Sequence, residues 1–295
     1  MSATLADICR RDQQRLALAL GLSEREARLE VQLLLGHVLQ KPRSHLIAHG
    51  ESPLEPPIAG PYEALLSRRL QGEPMAYILG RREFYGMELR LSPAVLIPRP
   101  DTETLVEAAL SRVPPATRCA VLDLGTGSGA IALALALQRP QSQVTASDIS
   151  PDALRIAQAN AHRLGVPNVA WHLGDWFEGL GGRFDLIVSN PPYIPARDPH
   201  LDRGDLRFEP PHALVSGPDG LEAIRRIIGQ AHRHLGAGGS LMLEHGFDQA
   251  QRVRDLLAAH GFEDVCTFPD LAGIERVSAG RWQPAGAPTA APTVP

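Results

Sequence analysis

After Arg118 the chain alternates short apolar runs with longer segments whose apolar residues recur at helical spacing. That alternation limits what it can fold into. Cys119–Leu124 reads as a strand and Ala130–Leu137 as an apolar helix. Gln143–Ser147 reads as a strand, and Pro151–Leu164 as a helix with Ser150 at its N-cap and Pro151 in first position. Asn168–Leu173 and Phe184–Val188 are further strands, followed by a helix over Leu221–Leu235, a strand over Ser240–Glu244 and a helix over Phe247–His260. Two closing strands, near Glu263–Phe268 and Glu275–Ala279, lie close enough for a hairpin. The pattern predicts an α/β fold built on a doubly wound, mostly parallel, seven-stranded sheet with helices on both faces.

The first 75 residues have a different texture. Leu5, Ile8, Leu16, Leu18 and Leu20, then Val31, Leu33, Leu34, Leu35, Val38 and Leu39, recur at helical spacings, and Ser23-Glu24-Arg25-Glu26 has the form of a capping box. Four prolines between Ser52 and Pro61 predict a loop separating helices. Acidic and basic residues balance here, nine of each, so a small bundle with a solvated surface is expected rather than an RNA-binding arm. Between 76 and 100 the alternation around Phe84-Tyr85-Gly86 predicts a β-hairpin linking two domains. The run Ile97-Pro98-Arg99-Pro100-Asp101-Thr102-Glu103 then leads into a helix that Asp101 or Thr102 can cap. The expected organisation is a helical docking domain over 1–75, a hairpin linker over 76–100, a catalytic α/β domain over 101–282 and a disordered Pro/Ala-rich tail over 283–295.

Composition removes several classes of function. At 44% apolar the 295 residues can bury a substantial core. No run of about 18 apolar residues occurs, and the N-terminal stretch has no apolar signal-peptide core, so neither membrane insertion nor export is expected. Cys9, Cys119 and Cys266 are scattered and odd in number, which fits a cytoplasmic protein with free thiols. A net charge of -4 does not suit a protein whose main task is gripping nucleic-acid phosphates.

The chemistry concentrates at the carboxyl ends of the predicted strands. Asp123-Leu124-Gly125-Thr126-Gly127-Ser128-Gly129 places three glycines at alternate positions between a strand and a helix. They let the backbone pass close to a ligand and leave a helix N-terminus open. The GxGxG spacing suits an S-adenosylmethionine (AdoMet) site rather than the GxGxxG of dinucleotide enzymes. Asp148 ends the next strand, where its carboxylate can accept two ribose hydroxyls. Its alternative role as a helix cap is already filled by Ser150. Gly174-Asp175-Trp176-Phe177 follows the third strand and can flank an adenine ring.

Ser189-Asn190-Pro191-Pro192-Tyr193 ends the fourth strand. A strand terminator explains the prolines but not their company. A planar amide or amino nitrogen is a weak nucleophile because its lone pair is delocalised. Asn190 Oδ1 and the Pro191 carbonyl can accept its two hydrogens, turning the lone pair toward a methyl donor, while Tyr193 stacks on the planar group. Positioning then does the catalysis, without a strong general base.

Together DLGTGSG, Asp148, GDWF and SNPPY resemble the class I AdoMet-dependent methyltransferases that act on nitrogen. With IPRPDTE, GRREFYG, DLRFEP and LMLEHG in order around them, the chain is similar to the peptide chain release factor N(5)-glutamine methyltransferases from about Glu73 to Ala279. The resemblance implies AdoMet as cofactor, held by Gly125, Thr126, Gly127, Ser128, Gly129, Asp148, Trp176 and Asn190. It also implies a substrate glutamine, that of the Gly-Gly-Gln loop of class 1 release factors, held by Asn190, Pro191, Pro192 and Tyr193. Asn190, Pro191 and Tyr193 carry catalysis on this reading, and the helical N-terminal segment corresponds to the family's release-factor-binding domain.

An N(6)-adenine DNA or RNA methyltransferase shares NPPY and is the alternative, but it calls for a basic surface and a target-reading domain. No metal is expected, since His232 and His234 face differently on a helix and no Cys/His cluster is present.

Overall fold

The computed structural model describes residues 3–284, so residues 285–295 of the expected tail lie outside the described residues. The chain divides into two compact units. One runs through Arg81 and is joined by His200–Phe208; the other holds Arg82–Pro199 and the described residues from Glu209 onward.

The first unit is helical: α1 (Leu5–Leu20), α2 (Glu24–Leu39), α3 (Arg43–Ala48), α4 (Pro56–Leu70) and α5 (Met75–Leu79). The capping box forms as its spacing demands: Ser23 Oγ accepts from the Glu26 amide, and the Glu26 carboxylate accepts from the Ser23 amide at 2.9 Å. Leu16, Val31, Leu34, Leu35, Tyr62 and Leu66 fill the core, whereas Leu18, on the outer side of α1, is exposed. The predicted proline loop is corrected in part. Pro56 and Pro57 open α4, where the first turn needs no amide donors, and Pro61 lies within that helix.

The second unit opens with the hairpin β1 (Arg81–Phe84) and β2 (Met87–Arg90), whose turn residues Tyr85 and Gly86 both take positive φ. A 3-10 turn over Pro100–Thr102 leads into α6 (Glu103–Arg112). Then follow β3 (Ala120–Leu124), α7 (Ala130–Gln138), β4 (Gln143–Asp148), α8 (Pro151–Leu164), β5 (Val169–Leu173) and β6 (Phe184–Ser189). After a long irregular stretch come α9 (Glu222–Ala231), β7 (Leu235–Glu244), α10 (Ala250–Ala259), β8 (Phe262–Pro269) and β9 (Glu275–Trp282).

The seven strands lie in the order β5-β4-β3-β6-β7-β9-β8, all parallel except β9, which runs against both its neighbours. Neighbouring residues along each strand feed opposite faces. Val121, Leu186 and Met242 pack with α6 and α7, whereas Leu122, Ile187 and Leu241 pack with α9 and α10. From β3 the chain steps outward to β4 and β5, then crosses back to β6 on the other side of β3. This is the switch point where open α/β sheets form a crevice.

Two predicted helices are shorter than expected. The segment read as Leu221–Leu235 stops at Ala231, and Leu235 already belongs to β7, paired with Phe184. The glycines around 236–239 let this strand bulge close to Phe184; a Cβ on Gly239 would sit 3.0 Å from the Phe184 carbonyl. The last helix starts at Ala250 rather than Phe247, because Gln249 Oε1 accepts from the Gly246 amide and closes a turn there first.

Candidate functional site

The crevice at the switch point is a cavity of about 250 Å³. Carboxyl-end residues of four parallel strands line it: Gly125–Ser128 after β3, Asp148 and Ile149 after β4, Gly174–Trp176 after β5, and Asn190 and Pro192 after β6. Three of the predicted site residues do not line the cavity: Gly129, Pro191 and Tyr193.

The glycine loop is held from several sides. Gly125 and Thr126 both donate their amides to the Ser147 carbonyl at 2.9 Å, and Gly127 donates to Asp148 Oδ2 at 2.8 Å. Asp123 beneath the loop is fully buried, with Oδ2 accepting from the Thr126 hydroxyl at 2.7 Å and from the Ala132 amide at 3.2 Å. Its Oδ1 has no partner, and burial pushes the carboxyl up to about 7. Asn160 on α8 fastens the far side, donating to the Ser128 carbonyl at 2.9 Å. Gly129 closes the loop against two helices: at φ 83° its missing Cβ would lie 3.1 Å from Leu133 and 3.2 Å from Ala157.

Asp148 is mostly buried, which raises its pKa, while the amides of Ser150 and Gly127 hold the charged form. Ser150 caps α8 as expected, its hydroxyl accepting from the Ala153 amide. Beside Asp148, Ile149 is 59% exposed and lines the cavity. Trp176 also lines the cavity, at φ 55°, a backbone state that bulky residues avoid. The neighbouring loop holds it there: His172 Nε2 contacts the Glu178 carbonyl at 2.7 Å, and Arg226 pairs with Asp175 at 2.8 Å.

The Asn190–Tyr193 turn is clamped from both ends. Ser189 Oγ donates to the Leu124 carbonyl at 2.7 Å, which draws the ends of β6 and β3 together. Beyond the turn, Ile194 and Ala196 donate their amides to Leu214 and Gly217. The Tyr193 carbonyl accepts from Gln249 Nε2 at 2.9 Å. Asn190 Nδ2 donates to Thr102 Oγ1 at 3.2 Å, and the Tyr193 hydroxyl reaches Glu244 Oε1 at 3.4 Å. Burial and the Glu244 charge both raise the tyrosine's pKa, so its phenol stays protonated. The expectation that Asp101 or Thr102 caps α6 is corrected here. Neither side chain makes a capping bond; the Thr102 hydroxyl oxygen accepts from Asn190 Nδ2 instead.

Comparison with known proteins bears on this arrangement. Residues 116–268 match a family model described as a methyltransferase domain, and residues 13–80 match one described as the PrmC N-terminal domain. The release factor glutamine methyltransferase of Xylella fastidiosa is 51% identical over 267 residues, covering 90% of this chain and 97% of that protein. The chain belongs to the release factor glutamine methyltransferase family. A second member, from Bordetella pertussis, is 53% identical over 255 residues, covering 86% of this chain and 94% of the relative. The family's fold recurs in a methyltransferase from Pyrococcus furiosus at a TM-score of 0.52 and 20% identity, covering 74% of this chain and 98% of that one.

Sequence reading missed several members of the site. Ile149 carried a faint signal, an apolar residue directly after Asp148 and outside any helical face. His212 and Ala213 line the cavity from an irregular stretch with no periodicity to reveal them. Glu209, buried within DLRFEP, accepts from the Ile97 amide at 3.2 Å and pairs with Arg99, which pins the approach to Thr102.

Proposed function

We propose that this protein transfers the methyl group of AdoMet to the side-chain nitrogen of the glutamine in the Gly-Gly-Gln loop of class 1 release factors. The observation that carries the reading is that Asn190 and Pro192 face the same cavity as the glycine loop and Asp148, so donor and acceptor sites adjoin.

The residues present fit the cofactor. A Cβ on Gly125 would point at Trp176 from 3.6 Å, so the glycine leaves that side of the cavity open for a flat ring beside Ile149. Each Asp148 oxygen accepts one amide hydrogen from Gly127 or Ser150, which leaves lone pairs for ribose hydroxyls. When bound, AdoMet supplies an electrophilic methyl group on a sulfonium sulfur.

The protein's own part is positioning. Asn190 Oδ1 and the Pro191 carbonyl accept the two amide hydrogens of the substrate glutamine and hold its nitrogen toward the methyl group. Held so, the glutamine nitrogen would take the methyl group that bound AdoMet supplies and would give up one proton to solvent. Tyr193, kept as the neutral phenol, supplies an uncharged ring to pack on the planar amide.

We assign the helical unit the docking of the release factor, supported by its match to the PrmC N-terminal domain. The net charge of -4 favours a protein partner over nucleic acid. We infer a cytoplasmic place of action, supported by three free thiols. Among the described residues no helix is long and apolar enough to cross a membrane.

The test offers radiolabelled AdoMet with an intact release factor and adenine-containing DNA in one mixture. Label in the release factor is the expected result, and label confined to DNA would overturn the reading.

A further inference from the structure

Gln249, the residue before α10, is buried, and both ends of its side-chain amide bond to backbone. Its Oε1 accepts from the Gly246 amide at 2.9 Å, and its Nε2 donates to the Tyr193 carbonyl at 2.9 Å. The two ends of a side-chain amide are nearly the same shape, but a backbone N–H only donates and a backbone C=O only accepts. These partners therefore fix one orientation of the Gln249 amide. Gly220, at φ 76°, passes close to the same bond: a Cβ there would overlap the Tyr193 carbonyl oxygen and lie 2.7 Å from Gln249 Nε2.

The place of that bond in the chain gives it a use. In Asn190-Pro191-Pro192-Tyr193 the two rings lock φ at Pro191 and Pro192. Each proline also keeps the residue before it, Asn190 or Pro191, out of the helical region. Few soft angles remain, so the turn is stiff and its two ends set the direction of the Pro191 carbonyl. One end is fixed at β6, where Ser189 Oγ donates to the Leu124 carbonyl at 2.7 Å. The other is fixed where Gln249 takes the Tyr193 carbonyl, just before the Ile194 amide joins the Leu214 carbonyl at 2.9 Å. Gln249 does not line the cavity, so it acts through the turn rather than on a ligand.

We propose that Gln249 is a positioning residue for methyl transfer: by holding the Tyr193 carbonyl it keeps the Pro191 carbonyl and the Tyr193 ring aimed at the substrate amide. The inference rests on the reading that the Asn190–Tyr193 turn holds the glutamine, and the experiment keeps the two separate.

Wild type, Gln249→Glu and Gln249→Met are compared on an intact release factor at about pH 8.5, where a carboxyl of ordinary pKa is ionised. AdoMet affinity is followed by calorimetry. Gln249→Glu keeps the acceptor for the Gly246 amide but turns an oxygen toward the Tyr193 carbonyl, whereas Gln249→Met offers neither bond. Both variants are expected to lower kcat about tenfold or more, while KM for the release factor and Kd for AdoMet shift no more than about threefold. In nuclear magnetic resonance spectra the Tyr193 carbonyl carbon is expected to move in both variants as its hydrogen bond is lost. Were Gln249 needed only to close the turn before α10, Gln249→Glu would work like the wild type and Gln249→Met alone would suffer. That result, a loss confined to KM or AdoMet affinity, or an unmoved Tyr193 resonance would overturn the proposal. Should Gln249→Glu fail to fold, the rate and the Tyr193 resonance of Gln249→Met decide. Absence of methyl transfer by the wild type itself would instead bring down the functional reading, and this inference with it.

Discussion

The Gly127 amide donates to Asp148 Oδ2 at 2.8 Å, so the loop after β3 and the acid ending β4 form one unit. The loop's shape and the orientation of the Asp148 carboxylate therefore depend on each other. Asp148→Ala removes charge-assisted hydrogen bonds worth about 1.5–3 kcal/mol and frees Gly127, so AdoMet affinity is expected to fall about tenfold or more. Calorimetry measures this directly; unchanged affinity would place the ribose elsewhere.

Asn160 is fully buried and makes three bonds: Nδ2 to the carbonyls of Ser128 at 2.9 Å and Arg90 at 3.1 Å, and Oδ1 from the Arg90 amide at 2.7 Å. Asn160→Ala leaves the Arg90 amide without this acceptor and is expected to destabilise the fold by about 1–3 kcal/mol in urea titrations. AdoMet affinity is expected to weaken too, because the Ser128 end of the loop loses its anchor. A loss within about 0.5 kcal/mol, the range of an ordinary surface substitution, would contradict this.

Two buried acids set a pH dependence. Burial raises Asp123 and Glu244 to about 7 each, above the ordinary 3.8 and 4.5 that they regain on unfolding. Between those limits the folded protein binds more protons than the unfolded chain, so these groups make stability fall as pH rises. Thermal melts between about pH 5 and 8 are expected to show a flatter decline in Asp123→Asn than in wild type. An equally steep decline in both would show that Asp123 is ionised throughout.

Asn190 carries the positioning argument. Asn190→Ala is expected to leave AdoMet affinity largely intact and to lower kcat/KM about a hundredfold or more, as when one preorganised transition-state hydrogen bond is lost. Asn190→Asp keeps an acceptor and is expected to retain partial activity. Methylation at the wild-type rate by Asn190→Ala would discard the mechanism while leaving the substrate in place.

Deleting residues 1–72 tests the docking role. AdoMet binding is expected to survive in the sheet unit, with turnover on an intact release factor falling much further. Since His200–Phe208 belongs with the helical unit, the truncated protein also loses the bond from Arg207 to the Gln71 carbonyl. Loss of AdoMet binding in a truncation that still folds would contradict the division of labour.

Local sequence carried much of this fold. Ser150 and Pro151 mark the start of α8 and Gly165 its end, and those signals act within one helical turn. The glycine loop and the Asn190–Tyr193 turn were legible because their chemistry is written in consecutive residues. Asn160, Glu209 and Glu244 receive no role from the sequence alone, and Thr102 only that of a helix cap. Their partners lie far away in sequence: Asn160 meets Arg90 and Ser128, Thr102 meets Asn190, and Glu209 meets Ile97. Periodicity reports which face of an element is buried, not which distant hydroxyl or amide will meet it. The helix expected through Leu235 failed for the same reason, since its end is set by pairing with Phe184.

The most direct test of the central claim is site-resolved mass spectrometry of a class 1 release factor after incubation with this protein and AdoMet. One added methyl group on the glutamine of the Gly-Gly-Gln loop, absent without AdoMet and much reduced with Asn190→Ala, is the predicted result. A release factor left unmodified by the folded, AdoMet-binding wild-type protein would contradict it.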